Sequence, residues 1–143
     1  INILAFLFTN YVMAESSKEY AVMGRETWSA FQFSALAEKS KDLKEKERLF
    51  RFGYDQGIKF ISALKSDKMK REDLETEVPV SILLLLQGPS ADFILGRVFE
   101  NTLDEALAPV YKTGDKYNSD EMQELIAKNE FGKRNCKLIG RKK

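Results

Sequence analysis

Carboxylates are the side chains best suited to acid–base chemistry in this sequence, because its 143 residues include no histidine. Asp and Glu together number 22, and a pair of carboxyl groups can serve as general acid and general base. The candidates are Asp55, Asp92 and Glu100, which adjoin apolar residues. Asp55 is also placed for an i,i+4 pair with Arg51. Asp92 falls in the first turn of a predicted helix, where a carboxylate suits the helix dipole, and Glu100 is expected to face water. These structural roles account for all three, so we predict no catalytic residues.

Composition excludes several other kinds of site. A Ser-His-Asp or Cys-His arrangement needs a histidine, and a zinc site of cysteine and histidine needs more than the single Cys136. The sequence contains neither a P-loop nor a dinucleotide-binding fingerprint. Lys and Arg number 23 against 22 acidic residues, and both signs are mixed along the chain, so no basic face is indicated. We predict no cofactor, no metal and no nucleic-acid partner.

Residues 1–14 carry no charge and end in a small residue, Ala14, as the apolar region and cleavage site of a signal peptide do. A membrane span would need about 20 apolar residues, and Thr9-Asn10 interrupts this run. A buried first helix is the other alternative. We predict export to the periplasm or the medium, cleavage after Ala14 and no stable membrane span afterwards. Cys136 is then either an inert free thiol or half of a disulfide between two copies, which leaves a homodimer open.

Two glycines lie inside the most regular amphipathic pattern of the chain, residues 47–64. Small and apolar residues recur there three and four apart, as in a helix: Phe50, Gly53, Tyr54, Gly57, Phe60, Ile61 and Leu64. Each glycine costs a helix interior about 1 kcal/mol relative to alanine. We therefore expect a second helix to cross closely at Gly53 and Gly57, and Gly96 is a candidate for the crossing residue. The charged entry to this helix, residues 44–48, is expected to face solvent.

Two further helices are predicted on either side of this central one. Residues 17–37 have helical spacing, with Trp28 and Phe31 as core anchors. A later helix begins after Ser90, which can cap it, and ends or kinks near Tyr111 because of Pro109. Arg97 lies in its apolar part, either as a cation that faces a partner or as an arginine whose stem covers the edge of the core. We favour the core-edge role.

The remaining segments also favour helices. The apolar run 78–87 is either a buried short helix or a buried strand, and its four leucines favour the helix. The loop that follows, residues 87–90, either carries recognition or simply turns the chain. Asn118 can cap a last helix that runs to Lys128 and is closed by Gly132. The sequence thus predicts an all-α, single-domain bundle of about five helices over residues 15–143, with a short basic C-terminal tail in solvent.

The order of these features resembles the exported immunity proteins of the Rap/Tai type, which protect bacteria against type VI secretion amidase effectors. The similar features are an aromatic-rich first helix around Trp28, the Phe-Gly-Tyr-Asp-Gln-Gly helix at 52–57, the Val-Pro-Val start at 78–80 and the Asp-Glu-Ala-Leu helix at 104–107. The resemblance covers roughly residues 28–111. It implies an all-helical periplasmic protein that plugs the active site of an effector. Such proteins commonly have paired cysteines, whereas this chain has one.

The function predicted from the sequence is that of an exported binding protein without an enzymatic site. Its leading form is an immunity protein or inhibitor of a peptidoglycan-directed enzyme, with a cell-wall amidase effector as the protein partner. The second is an envelope structural or assembly factor that uses the same helical surface. The third is a hydrolase without histidine, which would require two buried acids that face one cleft.

Overall fold

Six helices and one short hairpin make up the part of the chain that the structure, a computed structural model, describes: residues 15–141. The predicted signal segment, residues 1–14, lies outside that range. The helices are α1 (Ser17–Lys39), α2 (Leu43–Lys65), α3 (Arg71–Glu77), α4 (Val80–Leu83), α5 (Ala91–Tyr111) and α6 (Asp120–Lys133). The hairpin pairs β1 (Lys112–Thr113) with β2 (Lys116–Tyr117), and a 3-10 turn follows at Cys136–Leu138. Five helices have seven residues or more, so the all-α prediction is confirmed.

The first two helices form an antiparallel pair. Ser16 caps α1 in a capping box with Glu19, which satisfies two backbone N–H groups at the start of the helix. The turn between the helices passes through Lys41 at a positive φ of 63°, and the Asp42 side chain accepts from the Glu45 N–H to cap α2. The turn sends α2 back along α1, so that α2 presents one side to α1 and another to α5.

Glycines in α1 and α2 let these two helices pack closely. A Cβ atom at Gly53 would lie 2.9 Å from the Phe31 ring, and one at Gly24 would lie 2.8 Å from the Phe60 ring. At Gly57 a Cβ would overlap Leu95 of α5. We call this contact the glycine seam: Gly24, Gly53 and Gly57 with Thr27, Ala30, Phe31, Phe60 and Leu95. The expected tight packing at Gly53 and Gly57 is present, with side chains of α1 filling the position at Gly53 and those of α5 and α1 filling the position at Gly57.

The predicted role of Gly96 in that crossing is wrong. A Cβ atom at Gly96 would have no heavy atom within 4 Å, so this glycine faces open space. Its neighbour Leu95 provides the contact from α5 instead.

The core consists of two clusters arranged along α1 and α5. One lies around Phe31, Phe60 and Ile82, and the other around Leu36, Leu49 and Phe131. Phe31 is buried as predicted, whereas Trp28 is only partly buried and packs against the edge of the first cluster. Buried polar side chains lie on α1 and α5 as well: Thr27, Gln32, Ser34 and Thr102.

Several predicted boundaries differ from the structure. Segment 78–87 contains only the single turn α4, and Val80 and Leu84 are 69% and 76% exposed, so the run is not buried on all sides. The cap of α6 is Ser119, whose hydroxyl accepts from the Met122 N–H, and not Asn118. The Asn118 side chain instead donates to the Val110 carbonyl and fixes the hairpin against α5. Helix α6 also continues beyond Lys128 and through Gly132 to Lys133.

The C-terminal segment contacts the fold up to Arg141, although Lys133 and Arg141 of the predicted basic tail are exposed. The last two residues of that tail, 142–143, lie outside the described range. Glu45 is only 6% exposed, and its carboxylate accepts from Arg48 and from Arg141, each at 2.8 Å. Arg48 also donates to the Ile139 carbonyl at 2.7 Å. Glu45 is therefore not the solvent-facing residue that the charged entry to α2 indicated, because the returning chain covers it.

Candidate functional site

An open cavity of about 300 Å³ lies between α2 and α5 next to the glycine seam, with which it shares Phe31 and Leu95. Its walls are almost entirely apolar, with one carboxylate at the edge. We call it the aromatic cleft and define it by its lining residues: Phe31, Phe50, Tyr54, Asp92, Leu95, Gly96 and Phe99. It has the features of a binding site, namely concave apolar walls and a small number of placed polar groups.

Helix periodicity brings the rings of the aromatic cleft together. Phe50 and Tyr54 are one turn apart on α2, and Leu95 and Phe99 are one turn apart on α5. The Phe99 ring meets the Phe31 and Phe50 rings edge to face, with centroids 5.3 and 5.5 Å apart. Such pairs contribute beyond the area that they bury. The rings therefore hold one another in a defined arrangement.

The cleft is open because of two of its residues. Phe50 is 37% exposed, although its ring stacks at 5.7 Å from the fully buried Phe31. Gly96 has no side chain to occupy the space beside Phe99, and nothing else fills it among residues 15–141. An aromatic cluster that would otherwise be closed core thus reaches the surface.

A polar pair lies at one end of the cleft. The Tyr54 hydroxyl donates a 2.6 Å hydrogen bond to Asp92 Oδ1, which joins α2 to the first turn of α5. This hydrogen bond, together with burial and the charges of Asp92 and Asp55, raises the pKa of Tyr54. Ser90 positions Asp92, because its hydroxyl accepts from the Phe93 N–H and fixes where α5 begins.

The three predicted carboxylate candidates do not form a buried pair. Asp92 lines the cleft, Asp55 acts on the neighbouring Tyr54 by its charge, and Glu100 lies further along α5. All three are exposed. The predicted pair of Asp55 with Arg51 is wrong, because Arg51 donates at 2.5 Å to Glu47 one turn earlier.

Arg97 has the core-edge role that the sequence favoured. Its guanidinium donates to the Gln87 carbonyl at 2.7 Å and to the Leu85 carbonyl at 3.4 Å, and it lies 5.9 Å from the Phe93 ring centroid. These bonds attach the chain after α4 to the side of α5. Arg97 is therefore already engaged and does not reach the aromatic cleft.

A larger groove of about 580 Å³ lies between α1, α5 and α6, and most of its charged residues pair with protein groups. Lys41 binds Glu124 at 2.5 Å, and Lys39 donates to Gln123 at 3.1 Å while lying over the Tyr111 ring. These contacts link α6 to the end of α1. The groove is therefore a polar contact between helices, and the aromatic cleft is the stronger candidate for binding.

Cys136 is a free thiol within the core. Burial raises its pKa to about 12, so almost no thiolate forms near neutral pH. Within this fold the sulfur is not available for a disulfide with a second copy.

Among residues 15–141, no three Cys, Asp or Glu side chains come together in a group that could hold a metal ion. No helix in this range combines the length and apolar character that crossing a bilayer requires.

Comparisons with known proteins place the chain in no family. No protein-family model matches it, and neither a curated protein nor a solved structure gives a significant match. The resemblance to Rap/Tai-type immunity proteins therefore stays a prediction from residue patterns.

The sequence did not lead to the aromatic cleft. Spacing alone places Phe50 and Tyr54 in the apolar stripe of the central helix and does not show that this stripe borders an open cleft. A usable signal was the glycine that follows Leu95 in an otherwise continuous apolar pattern, since it leaves a gap where a side chain is expected.

Proposed function

We propose that this protein is a non-enzymatic binding protein and that its contact surface is centred on the aromatic cleft. The observation that carries this proposal is the partly exposed ring of Phe50, held against Phe31 and Phe99 beside the open position at Gly96. Rigid aromatic groups at a concave surface supply much of the binding energy at protein interfaces. The ring geometry exists without a partner, so little order would have to be created on binding.

The proposed setting is the bacterial envelope, with immunity as the leading role. Two features of the sequence support it: the uncharged segment 1–14, typical of an export signal, and the resemblance to Rap/Tai-type immunity proteins. In this role the aromatic cleft would engage a peptidoglycan-directed enzyme, with a cell-wall amidase effector as the expected class of partner. The alternative role is that of an envelope structural or assembly factor, whose partner would be a constitutive envelope protein or a second copy.

A comparative pull-down tests both roles. The bait is the mature chain, residues 15–143, used against an envelope extract with and without reductant, and bound proteins are identified by mass. A Phe50→Ala bait removes the exposed ring of the cleft. A Tyr117→Ala bait is the matched control, because Tyr117 is an exposed aromatic on the hairpin at 77% exposure.

Immunity predicts a stoichiometric cell-wall hydrolase that binds the wild-type and Tyr117→Ala baits and is lost from the Phe50→Ala bait. The purified hydrolase should be inhibited by the protein in a peptidoglycan digestion assay. Capture of a second copy or of a constitutive envelope protein would favour the structural role. Equal capture by all three baits would contradict the assignment of the binding surface. Capture of no protein by the wild-type bait would contradict the binding role.

A further inference from the structure

Among residues 15–141, no cation pairs with the negative charge at the end of the aromatic cleft. Asp92 Oδ1 accepts from the Tyr54 hydroxyl, and no Lys or Arg nitrogen of residues 15–141 lies within 4 Å of the Asp92 carboxylate. No Lys or Arg nitrogen of residues 15–141 lies within 4 Å of the Asp55 carboxylate either. Asp55 follows Tyr54 on α2. Arg51 precedes Asp55 by four residues on α2 and is held by Glu47, and Arg97 follows Asp92 by five residues on α5 and is held by backbone carbonyls.

The walls of the cleft reinforce the preference for positive charge. An aromatic ring carries negative potential on its face, and a cation within about 6 Å of the ring centroid is attracted to it. Phe50, Tyr54 and Phe99 contribute their rings to a cavity that has a carboxylate at one end. A cavity of about 300 Å³ is at the small end of the range for ligand sites. It suits one side chain better than a large ligand.

Arginine is the side chain that meets all of these requirements. Its planar guanidinium stacks on aromatic faces and donates two N–H groups to a carboxylate, whereas the lysine ammonium is a compact, strongly hydrated charge. The three methylene groups of arginine can lie along apolar walls such as Leu95. Arginine is also among the residues that most often dominate the energy of protein interfaces.

We propose that the aromatic cleft binds an arginine side chain presented by the protein partner, with the guanidinium at Asp92 and the stem between Phe50, Leu95 and Phe99. This inference rests on the proposed function for the source of the arginine. The chemical preference of the cleft is a property of this chain alone and can be measured without the partner.

The test is an NMR titration of the isotope-labelled protein with N-acetyl-arginine methylamide. N-acetyl-citrulline methylamide is the matched control ligand, because citrulline has nearly the same shape and lacks the charge. Saturable shifts are expected at Phe50, Tyr54, Leu95, Gly96 and Phe99, with a dissociation constant on the order of 1–10 mM. Citrulline should bind about fivefold more weakly.

Two variants assign the binding to the cleft and to its carboxylate. Gly96→Leu places a side chain in the open space and should weaken arginine binding by about tenfold or more without lowering the melting temperature. Asp92→Asn keeps an oxygen that can accept from Tyr54. It should weaken arginine binding to the level of citrulline and leave citrulline binding unchanged.

Three results would overturn the proposal: no saturable shifts in the cleft, equal affinity for arginine and citrulline, or unchanged arginine affinity in Asp92→Asn. Failure here is distinct from failure of the proposed function. A captured hydrolase with no arginine preference would leave the binding role intact and reject the cleft chemistry. Arginine binding together with a pull-down that captures no protein would support the cleft chemistry and reject the binding role.

Discussion

The glycines of α2 and the glycine of α5 serve opposite purposes. At the glycine seam, Gly53 and Gly57 remove side chains so that rings and methyl groups of α1 and α5 can fill the space. At the aromatic cleft, which shares Phe31 and Leu95 with the seam, Gly96 of α5 removes a side chain and the space stays open. A glycine in the apolar stripe of a helix therefore leaves space where a side chain would lie. The result is a close contact where a neighbouring helix fills that space, and a cavity where none does.

The comparison also separates stability from binding. The glycine seam is buried, so a change there is felt throughout the core. The aromatic cleft shares the buried Phe31 and Leu95 with the seam, but Phe50 and Gly96 are exposed. Changes at such exposed positions alter the shape of the cleft more than the free energy of unfolding.

Gly57→Leu should have the largest effect. The added side chain would collide with Leu95 and lie against Thr27, whose Cγ2 atom is 3.1 Å from the ideal Cβ position. We expect the free energy of unfolding to fall by about 3 kcal/mol, measured by urea denaturation, because overpacking displaces two helices. An unchanged melting temperature would contradict the close packing of the glycine seam.

Glu45→Gln tests a buried contact of α2 that involves no glycine. It should lower the free energy of unfolding by about 1–3 kcal/mol at pH 7, because Arg48 and Arg141 lose a charged acceptor. Hydrogen bonds from Arg48 lower the pKa of Glu45 below its usual value of 4.5. The stabilisation is thus present above pH 4.5 and is lost as the pH falls through the folded-state pKa.

The difference between wild type and Glu45→Gln should accordingly shrink in urea denaturation experiments between pH 7 and pH 3. A difference that stays constant over this range would show that the charge of Glu45 does not contribute.

Gly96→Ala should act in the opposite direction to Gly57→Leu. Its methyl group meets no heavy atom within 4 Å, and alanine is the better helix former by about 1 kcal/mol. We expect the free energy of unfolding to rise by about 0.5–1 kcal/mol. A loss of stability in urea denaturation would mean that this position is closed, and the contrast between Gly96 and the glycines of the seam would fail.

Asp92→Asn should have the smallest effect on stability, within about 0.5 kcal/mol, because it is an exposed position. Its main effect should be on the titration of Tyr54, whose pKa should fall towards the usual value of 10.0 once the negative charge is gone. The assigned Tyr54 ring carbon reports this pKa by NMR. An unchanged titration curve would show that Asp92 exerts no electrostatic influence on the cleft.

Local patterns predicted the features that depend on neighbours in sequence. The glycine pair at 53 and 57, the Ser90 cap and the end of α5 after Pro109 follow from helix periodicity and capping chemistry. The cap of α6 was predicted at Asn118 and is Ser119, because both residue types are favoured at that position and Asn118 is engaged by the Val110 carbonyl instead.

Features that depend on distant residues could not be read in this way. Glu45 lies in a run of alternating charges that looks solvent-exposed, and it is buried because Arg141 returns to it from the end of the described chain. The aromatic cleft needs Phe50 and Phe99 to meet across two helices. Periodicity identifies the stripe of each helix but not which stripes face each other, nor that Gly96 leaves a gap between them.

The buried sulfur of Cys136 provides a built-in kinetic probe of the C-terminal segment. It is the only thiol of the chain, so any labelling by a thiol reagent reports one site. Reaction requires the 3-10 turn to detach and the thiol to ionise, and both are rare in the closed state. The labelling rate therefore measures how often this segment opens, and it should rise in Glu45→Gln while staying constant in Gly96→Ala.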